Sequence, residues 1–373
     1  MKVMTIAGTR PELVRLSRII PLLDQQTEHM LVHTGQNYDY ELNGIFFEDM
    51  EIRKPDYFLE SAGATATETI GQVIIRSDAV LREFAPDAVL ILGDTNSCLA
   101  SISAKRLKIP IFHLEAGNRC YDQRVPEEIN RKIIDHISDV NMAYSSIARE
   151  NLLREGLPAD RTFKIGSPMA EVLAYYQPKI AGSDVLSRLG LEEYRYFVIS
   201  AHREENIDDP AQFTRLIALL RYLGETYAQP VIVSTHPRTR KRMDAEGVVL
   251  PSSVQLLKPL GFSDYVRLQL SATAVLSDSG TITEEASILN LRALNIRNAH
   301  ERQEGVDEGA VMMTGLKLDR IILGLQILET QGRAAERSVR MVADYDAPTV
   351  SAKVLRIIVS YTDYVNRIVW KKE

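Results

Sequence analysis

Val3-Met4-Thr5-Ile6-Ala7-Gly8-Thr9-Arg10-Pro11-Glu12 opens the chain with a short apolar run, a glycine turn and an Arg-Pro step. Leu13, Val14, Leu16, Ile19 and Ile20 follow at helical spacing. A short, β-branched, non-alternating run reads as a strand buried on both faces, the habit of parallel sheets. Proline in the first helical turn then marks the start of the crossover helix. The same grammar recurs at residues 88–92, 109–112, 196–200 and 274–276. These runs lead into Gly93-Asp94-Thr95, His113-Leu114-Glu115-Ala116-Gly117, Ala201-His202-Arg203-Glu204-Glu205-Asn206 and Ser279-Gly280-Thr281. In an open parallel sheet the ligand sits beyond the carboxyl ends of the strands, so polar signatures placed there repeatedly outline an active site.

Working outward, strand-like runs at 30–33, 230–234, 254–257, 273–276 and 292–296 alternate with helical patterns at 13–23, 67–84, 99–107 and 211–227. Alternation of this kind predicts βαβ units, and 373 residues are too many for one core. The expected fold is α/β, with two doubly wound Rossmann-like domains. We place the first at 1–167 and the second at 168–349, with hinge motion near Gly166. A final amphipathic helix at 350–373 is expected to dock on the N-terminal domain.

Composition narrows the function. A net charge of -6, with 45% hydrophobic and 25% charged residues, argues against a non-specific grip on nucleic acid or anionic membrane. An anionic substrate must then be held by a few placed cations. Cys98 and Cys120 lie in no metal-ligand or disulfide spacing and read as buried, inert thiols; no metal is expected. No run approaches the roughly 20 apolar residues of a membrane span, and no signal-peptide pattern follows Met1, so the expected compartment is the cytoplasm.

Arg10 at a helix start can grip a phosphate through its guanidinium fork, with the helix amides beside it. Ser279-Gly280-Thr281 repeats the device: glycine admits the backbone, the hydroxyls donate, and a carboxylate in the following turn can accept from a ribose. Taken alone, the turn reads more simply as plain N-capping, with Glu284 and Glu285 complementing the helix dipole. Neither GxGxxG nor GxxxxGK[ST] occurs, which disfavours a nicotinamide site and a P-loop; no cofactor is expected. Asp94, Glu115 and Glu127 suggest proton chemistry. For Glu127 the position alone leaves two readings open, because Glu127 to Arg131 and Glu128 to Lys132 are also helical i,i+4 pairs. His202 and Arg203 follow one strand and His236 another, and either histidine can neutralise a phosphate or carry a proton.

With these motifs in this order, the chain resembles the non-hydrolysing UDP-N-acetylglucosamine 2-epimerase family along nearly its whole length. The resemblance implies two domains of the glycosyltransferase-B type, a UDP-sugar in the interdomain cleft and a homodimer. It implies that Arg10, His202, Ser279, Gly280 and Thr281 contact the diphosphate, that Glu285 holds the ribose, and that Asp94, Glu115, Glu127 and His202 are catalytic. Arg15, Gln36, Arg203, His236 and Phe262 complete the expected substrate-binding set. Arg15 stands where the glucosamine enzymes carry Lys, Glu204 where Arg is usual, and Thr281 where they have a second Gly. The stretches 33–40 and 115–131 instead look like the capsule and O-antigen branch. That branch converts UDP-2-acetamido-2,6-dideoxy-β-L-talose to UDP-N-acetyl-L-fucosamine for lipopolysaccharide or other surface polysaccharide synthesis. Arg302-Gln303-Glu304 departs from the family's Arg-Pro-Glu and His300 replaces a Thr, so we leave that loop out of the site. UDP-N-acetylglucosamine is the alternative substrate. A UDP-sugar glycosyltransferase and a UDP-sugar sensor are the alternatives from other classes.

Overall fold

The computed structural model describes residues 1–35 and 47–372, the side chains of 204 and 205 excepted. It divides into two compact units, Met1–Ala174 with Asp344–Glu373, and Tyr175–Ala343. The divisions lie at 174/175 and 343/344, the first of them inside the helix Met169–Ala181.

The first unit is built on a seven-stranded sheet in the order β3-β2-β1-β4-β5-β6-β7. Its strands are β1 Lys2–Ala7, β2 Glu28–His33, β3 Tyr57–Phe58, β4 Ala88–Leu92, β5 Ile111–Leu114, β6 Val140–Ala143 and β7 Thr162–Lys164. All are parallel. The chain winds outward from β1 to β3 and then returns to lie beside β1 as β4, so the strand order reverses at the β1/β4 border. In open parallel sheets a ligand is bound beyond the strand ends at such a reversal. Met4, Ile6, Val89, Ile91 and Ile111 pack one face against Val73, Leu81 and Leu99. With both faces covered, the strands have no polar side, which is why their sequences do not alternate.

Two expectations change here. The helix expected over 13–23 is two helices, Arg10–Leu16 and Ile19–Gln26. Pro21 explains the break: inside one continuous helix it would remove a backbone donor and clash with the preceding turn, whereas in the first turn of a new helix it costs nothing. The stretch 99–107 begins as a 3-10 turn, Asn96–Ala100, before the α-helix Ser101–Arg106. The helix Val350–Ile368 packs on Ile19–Gln26 within this unit. Tyr361 meets Phe163 edge-on at 4.8 Å, and the Ser351 amide donates to Glu171 at 2.9 Å.

The second unit repeats the plan with six parallel strands, in the order β10-β9-β8-β11-β12-β13. They are β8 Phe197–Ser200, β9 Val231–Ser234, β10 Val254–Leu257, β11 Ala274–Ser277, β12 Ala293–Asn295 and β13 Met312–Met313. Its reversal lies between β8 and β11. Phe197 and Ile199 of β8 face Leu216, Leu220 and Leu325, while Val198 faces Leu268, Ile282 and Ala286 on the other side. Each such side chain contributes about 1.5–3 kcal/mol through burial, so the sheet is a firm platform for the loops at its edge. Among the described residues no helix is long and apolar enough to cross a membrane.

Candidate active site

In the first unit the polar residues gather where β1, β4 and β5 end. Arg10 is the first residue of the helix after β1 and is half-buried. The turn before it is held from inside by Glu12, whose Oε2 accepts from the Gly8 amide at 2.6 Å and the Thr9 amide at 3.1 Å. Its other oxygen accepts from Thr95 Oγ1 and, at 3.0 Å, from Ser97 Oγ. Glu12 therefore ties the β1 turn to the loop after β4. Burial pushes its carboxyl up from 4.5 to about 7, although the Thr95 and Gly8 hydrogen bonds favour the charged form.

Asp94 follows β4 through Gly93, whose φ of +74° is left-handed. Arg131, on the helix Pro126–Ile137, reaches Asp94 Oδ2 from Nε at 2.9 Å and from Nη2 at 2.7 Å. Glu115 follows β5 with a φ of +70°, and its Oε2 lies 3.1 Å from Arg15 Nε. Asn118 Nδ2 approaches its Oε1 at 3.5 Å. Because Leu92 pairs with Leu114 across β4 and β5, the two carboxylates leave adjacent strand ends.

Glu127 sits half-buried in the first turn of Pro126–Ile137. Its neighbour Glu128 is fully buried and serves as a structural acceptor for the Cys120 amide at 3.1 Å, the Tyr121 amide at 3.2 Å and Arg131 Nη1 at 3.0 Å. The helical pair Glu128–Lys132 also forms, at 3.7 Å. Behind Glu115, Asp135 accepts from Arg119 Nη1 at 2.7 Å and the Gly117 amide at 3.2 Å, and it lies 2.9 Å from His113 Nδ1. Burial alone would raise this carboxyl, but His113 and Arg119 outweigh it and hold it below its ordinary range. His113 Nε2 in turn lies 2.9 Å from the Gly93 carbonyl, so this buried network braces the loops of both Asp94 and Glu115. Cys98 is buried and Cys120 only half-buried, and burial pushes both thiols up, Cys120 to about 11.

In the second unit His202 and Arg203 leave the end of β8. Ser279-Gly280-Thr281 leave the neighbouring strand β11 and lead into the helix Ile282–Leu289. Ser279 Oγ and Thr281 Oγ1 are bonded to each other at 3.0 Å, and Thr281, at the N-cap, makes no side-chain hydrogen bond to the helix amides. Glu284 is buried against Arg302 at 3.2 Å, whereas Glu285 accepts from Gln269 Nε2 at 2.7 Å. Arg302 therefore belongs to the loop that the sequence reading set aside, and that loop adjoins the turn. Glu301, whose Oε1 lies 3.4 Å from Arg297, has its Oε2 3.6 Å from where a side chain on Gly280 would begin. His236 is the exposed N-cap of the helix Pro237–Ala245, its Nδ1 accepting from the Arg238 amide at 3.3 Å. Phe262 is 8% exposed and turned edge-on against Tyr176 at 5.7 Å. Gln36 lies outside the described residues, as does the side chain of Glu204.

Sequence reasoning missed Asp278. It lies fully buried between β11 and Ser279 and gathers the amides of His202 and Arg203 at 2.9 Å each. It also missed Arg131 as the partner of Asp94, and Glu12. The Thr9-x-x-Glu12 capping-box spacing was a local signal for the last; the other two depend on strands that are neighbours only in space. Among the described residues no group of His, Cys, Asp and Glu is placed to hold a metal. The arrangement offers paired carboxylates for proton transfer and, at the end of β11, an anion-compatible turn.

A family model described as UDP-N-acetylglucosamine 2-epimerase matches residues 22–359. The solved structure of UDP-N-acetylglucosamine 2-epimerase from Rickettsia bellii is 54% identical, covers 100% of both chains and superposes with a TM-score of 0.94. That of the Methanocaldococcus jannaschii UDP-GlcNAc 2-epimerase, in complex with UDP-GlcNAc and UDP, is 30% identical over 96% of this chain and 100% of its own, with a TM-score of 0.89. The UDP-2,3-diacetamido-2,3-dideoxy-D-glucuronate 2-epimerase of Pseudomonas aeruginosa is 34% identical over 86% of this chain and 90% of its own length.

Proposed function

Because the chain belongs to the UDP-N-acetylglucosamine 2-epimerase family and is a nucleotide-sugar 2-epimerase, we propose that it inverts C2 of a UDP-amino sugar by eliminating and re-adding UDP. One carboxylate removes the C2 proton as the C1–O bond to UDP breaks, which leaves a glycal. Arg10, His202 and the Ser279-Gly280-Thr281 turn take up the charge on the departing diphosphate. UDP then adds back to C1 while a second acid returns a proton to the opposite face of C2. The observation that supports this reading is the pair Asp94 and Glu115 at adjacent strand ends, each oriented by a buried guanidinium, Arg131 and Arg15. Glu127 is the third carboxylate of the set, and Glu285 is assigned to the ribose. A UDP-dependent transferase would need an acceptor site rather than two placed proton carriers.

For the sugar, we assign the conversion of UDP-2-acetamido-2,6-dideoxy-β-L-talose to UDP-N-acetyl-L-fucosamine, a precursor for a surface polysaccharide. Arg15 supports it: the residue that departs from the glucosamine enzymes contacts Glu115 directly, so the departure reaches the reacting carboxylates. UDP-N-acetylglucosamine is the second reading, favoured by the name of the Rickettsia bellii relative. The mechanism is tested by turnover in deuterium oxide. Product should carry deuterium at C2, and turnover should need no added nicotinamide. Product with undeuterated C2, or strict dependence on NAD, would overturn the elimination mechanism.

A further inference from the structure

Asp278 is a fully buried carboxylate at the β8/β11 border that carries no role in the reading above. Its Oδ2 accepts from the His202 amide at 2.9 Å, the Arg203 amide at 2.9 Å and Asn206 Nδ2 at 3.1 Å. Its Oδ1 lies 3.1 Å from His202 Nδ1. Burial would raise this carboxyl, yet His202 and the Arg203 amide outweigh it and hold it below its ordinary range. The His202 side chain is 40% exposed while Asp278 is 0% exposed, so the carboxylate stands behind the ring and the far ring nitrogen looks outward.

The contacts have a chemical consequence. A carboxylate can only accept, so Nδ1 must carry the hydrogen between them. Nε2 is then the ring's sole outward group, and on the protonated ring it presents one N–H toward an oxyanion. The amides of His202 and Arg203 are fixed by the same carboxylate, so backbone and ring are set together.

We propose that Asp278 is a positioning residue for the epimerisation, acting through His202 by fixing its Nδ1–H tautomer and aiming Nε2 at the diphosphate. The proposal rests on the reading of His202 as a diphosphate contact. The first unit reaches the same end by other means: Glu12 anchors the Gly8 and Thr9 amides from within the helix that carries Arg10. In the second unit the anchor comes from the neighbouring strand, so the turn that carries His202 and the turn that carries Ser279 are joined by one side chain.

The test combines ring spectroscopy with a double-mutant cycle. In the unaltered protein, long-range proton–nitrogen spectra at a pH where the ring is neutral should show His202 protonated on Nδ1. A ring protonated on Nε2 overturns the proposal, whatever the variants do. Asp278→Asn should move the proton to Nε2 and lower kcat by about a hundredfold, the lower range of what a positioned proton-bearing group contributes. In a His202→Ala background the same substitution should change kcat by no more than about threefold, because the group it acts through is gone. An equal loss in both backgrounds would mean that Asp278 acts by another route, with the diphosphate reading intact. His202→Ala with undiminished kcat and UDP affinity would instead remove the reading itself, and the proposal with it.

Discussion

Glu12 combines complete burial with four hydrogen-bond donors, and its stability effect has a definite sign. Its folded-state pKa is raised from 4.5 to about 7. Between those values the folded protein keeps a proton that the unfolded chain has lost, so stability falls as pH rises through the window. Glutamine has nearly the same shape; its carbonyl can take the two amides and its NH2 can face the two hydroxyls. We predict that Glu12→Gln gains thermal stability relative to the native protein between about pH 4.5 and 7, by up to about 1.4 kcal/mol per pH unit. Parallel melting curves across that range would contradict it. The carboxylates that face outward should behave differently. Asp94→Asn and Glu127→Gln should each slow turnover by about a hundredfold; the melting temperature should stay nearly unchanged for Glu127→Gln and fall for Asp94→Asn, which weakens the pairing of the buried Arg131 guanidinium. Arg10→Ala should weaken UDP-sugar use by about 1.5–3 kcal/mol, the worth of a charge-assisted hydrogen bond, with circular dichroism unaltered.

At the scale of elements, the turn after β5 bears the tightest constraint. Glu115 has a φ of +70° and Gly117 one of +85°, and a Cβ added to Gly117 would lie 2.2 Å from the Ala148 carbonyl oxygen. The helix Ser146–Arg154 therefore presses on the turn that aims Glu115. Gly117→Ala should cost about 1–3 kcal/mol through overpacking and lower kcat in the folded fraction, because the turn can yield only by moving Glu115. Unchanged melting and kcat would mean that the turn tolerates the shift. Legibility in the sequence follows the same local logic. β1, β4 and β8 were readable because both faces of each are buried and their residues are mostly apolar, without alternation. β6 was not: Asn141 interrupts Val140–Ala143, and its side chain is spent on the Asp135 carbonyl at 2.9 Å, a tertiary contact without local signature. Asp278 and Arg131 escaped for a related reason. Their partners, His202 and Asp94, are 76 and 37 residues away and meet them only once the strands are side by side. The resemblance supplied the functional reading of Glu127, which position alone left open.

For the molecule as a whole, two units of like design bring different chemistry to the carboxyl edges of their sheets. The first supplies Asp94, Glu115 and Glu127, and the second supplies His202 and the Ser279-Gly280-Thr281 turn. Elimination needs a removable C2 proton and a stabilised leaving group, and both candidate sugars provide them. The scaffold therefore sets the reaction class, while the groups facing the sugar ring decide between substrates. On the proposed reading Arg15 is such a group, because it contacts Glu115. A guanidinium and an ammonium are not interchangeable there, since the planar fork fixes the carboxylate in a way a point charge does not. We predict that the purified protein turns over UDP-2-acetamido-2,6-dideoxy-β-L-talose with a kcat/KM at least about tenfold above that for UDP-N-acetylglucosamine, the smaller end of discrimination by pocket shape. Arg15→Lys should narrow that ratio without abolishing turnover. A coupled assay run with both sugars on both proteins decides the matter. Equal or reversed values for the native protein would assign it to UDP-N-acetylglucosamine, and a ratio unmoved by Arg15→Lys would shift the basis of selection away from the Glu115 pair.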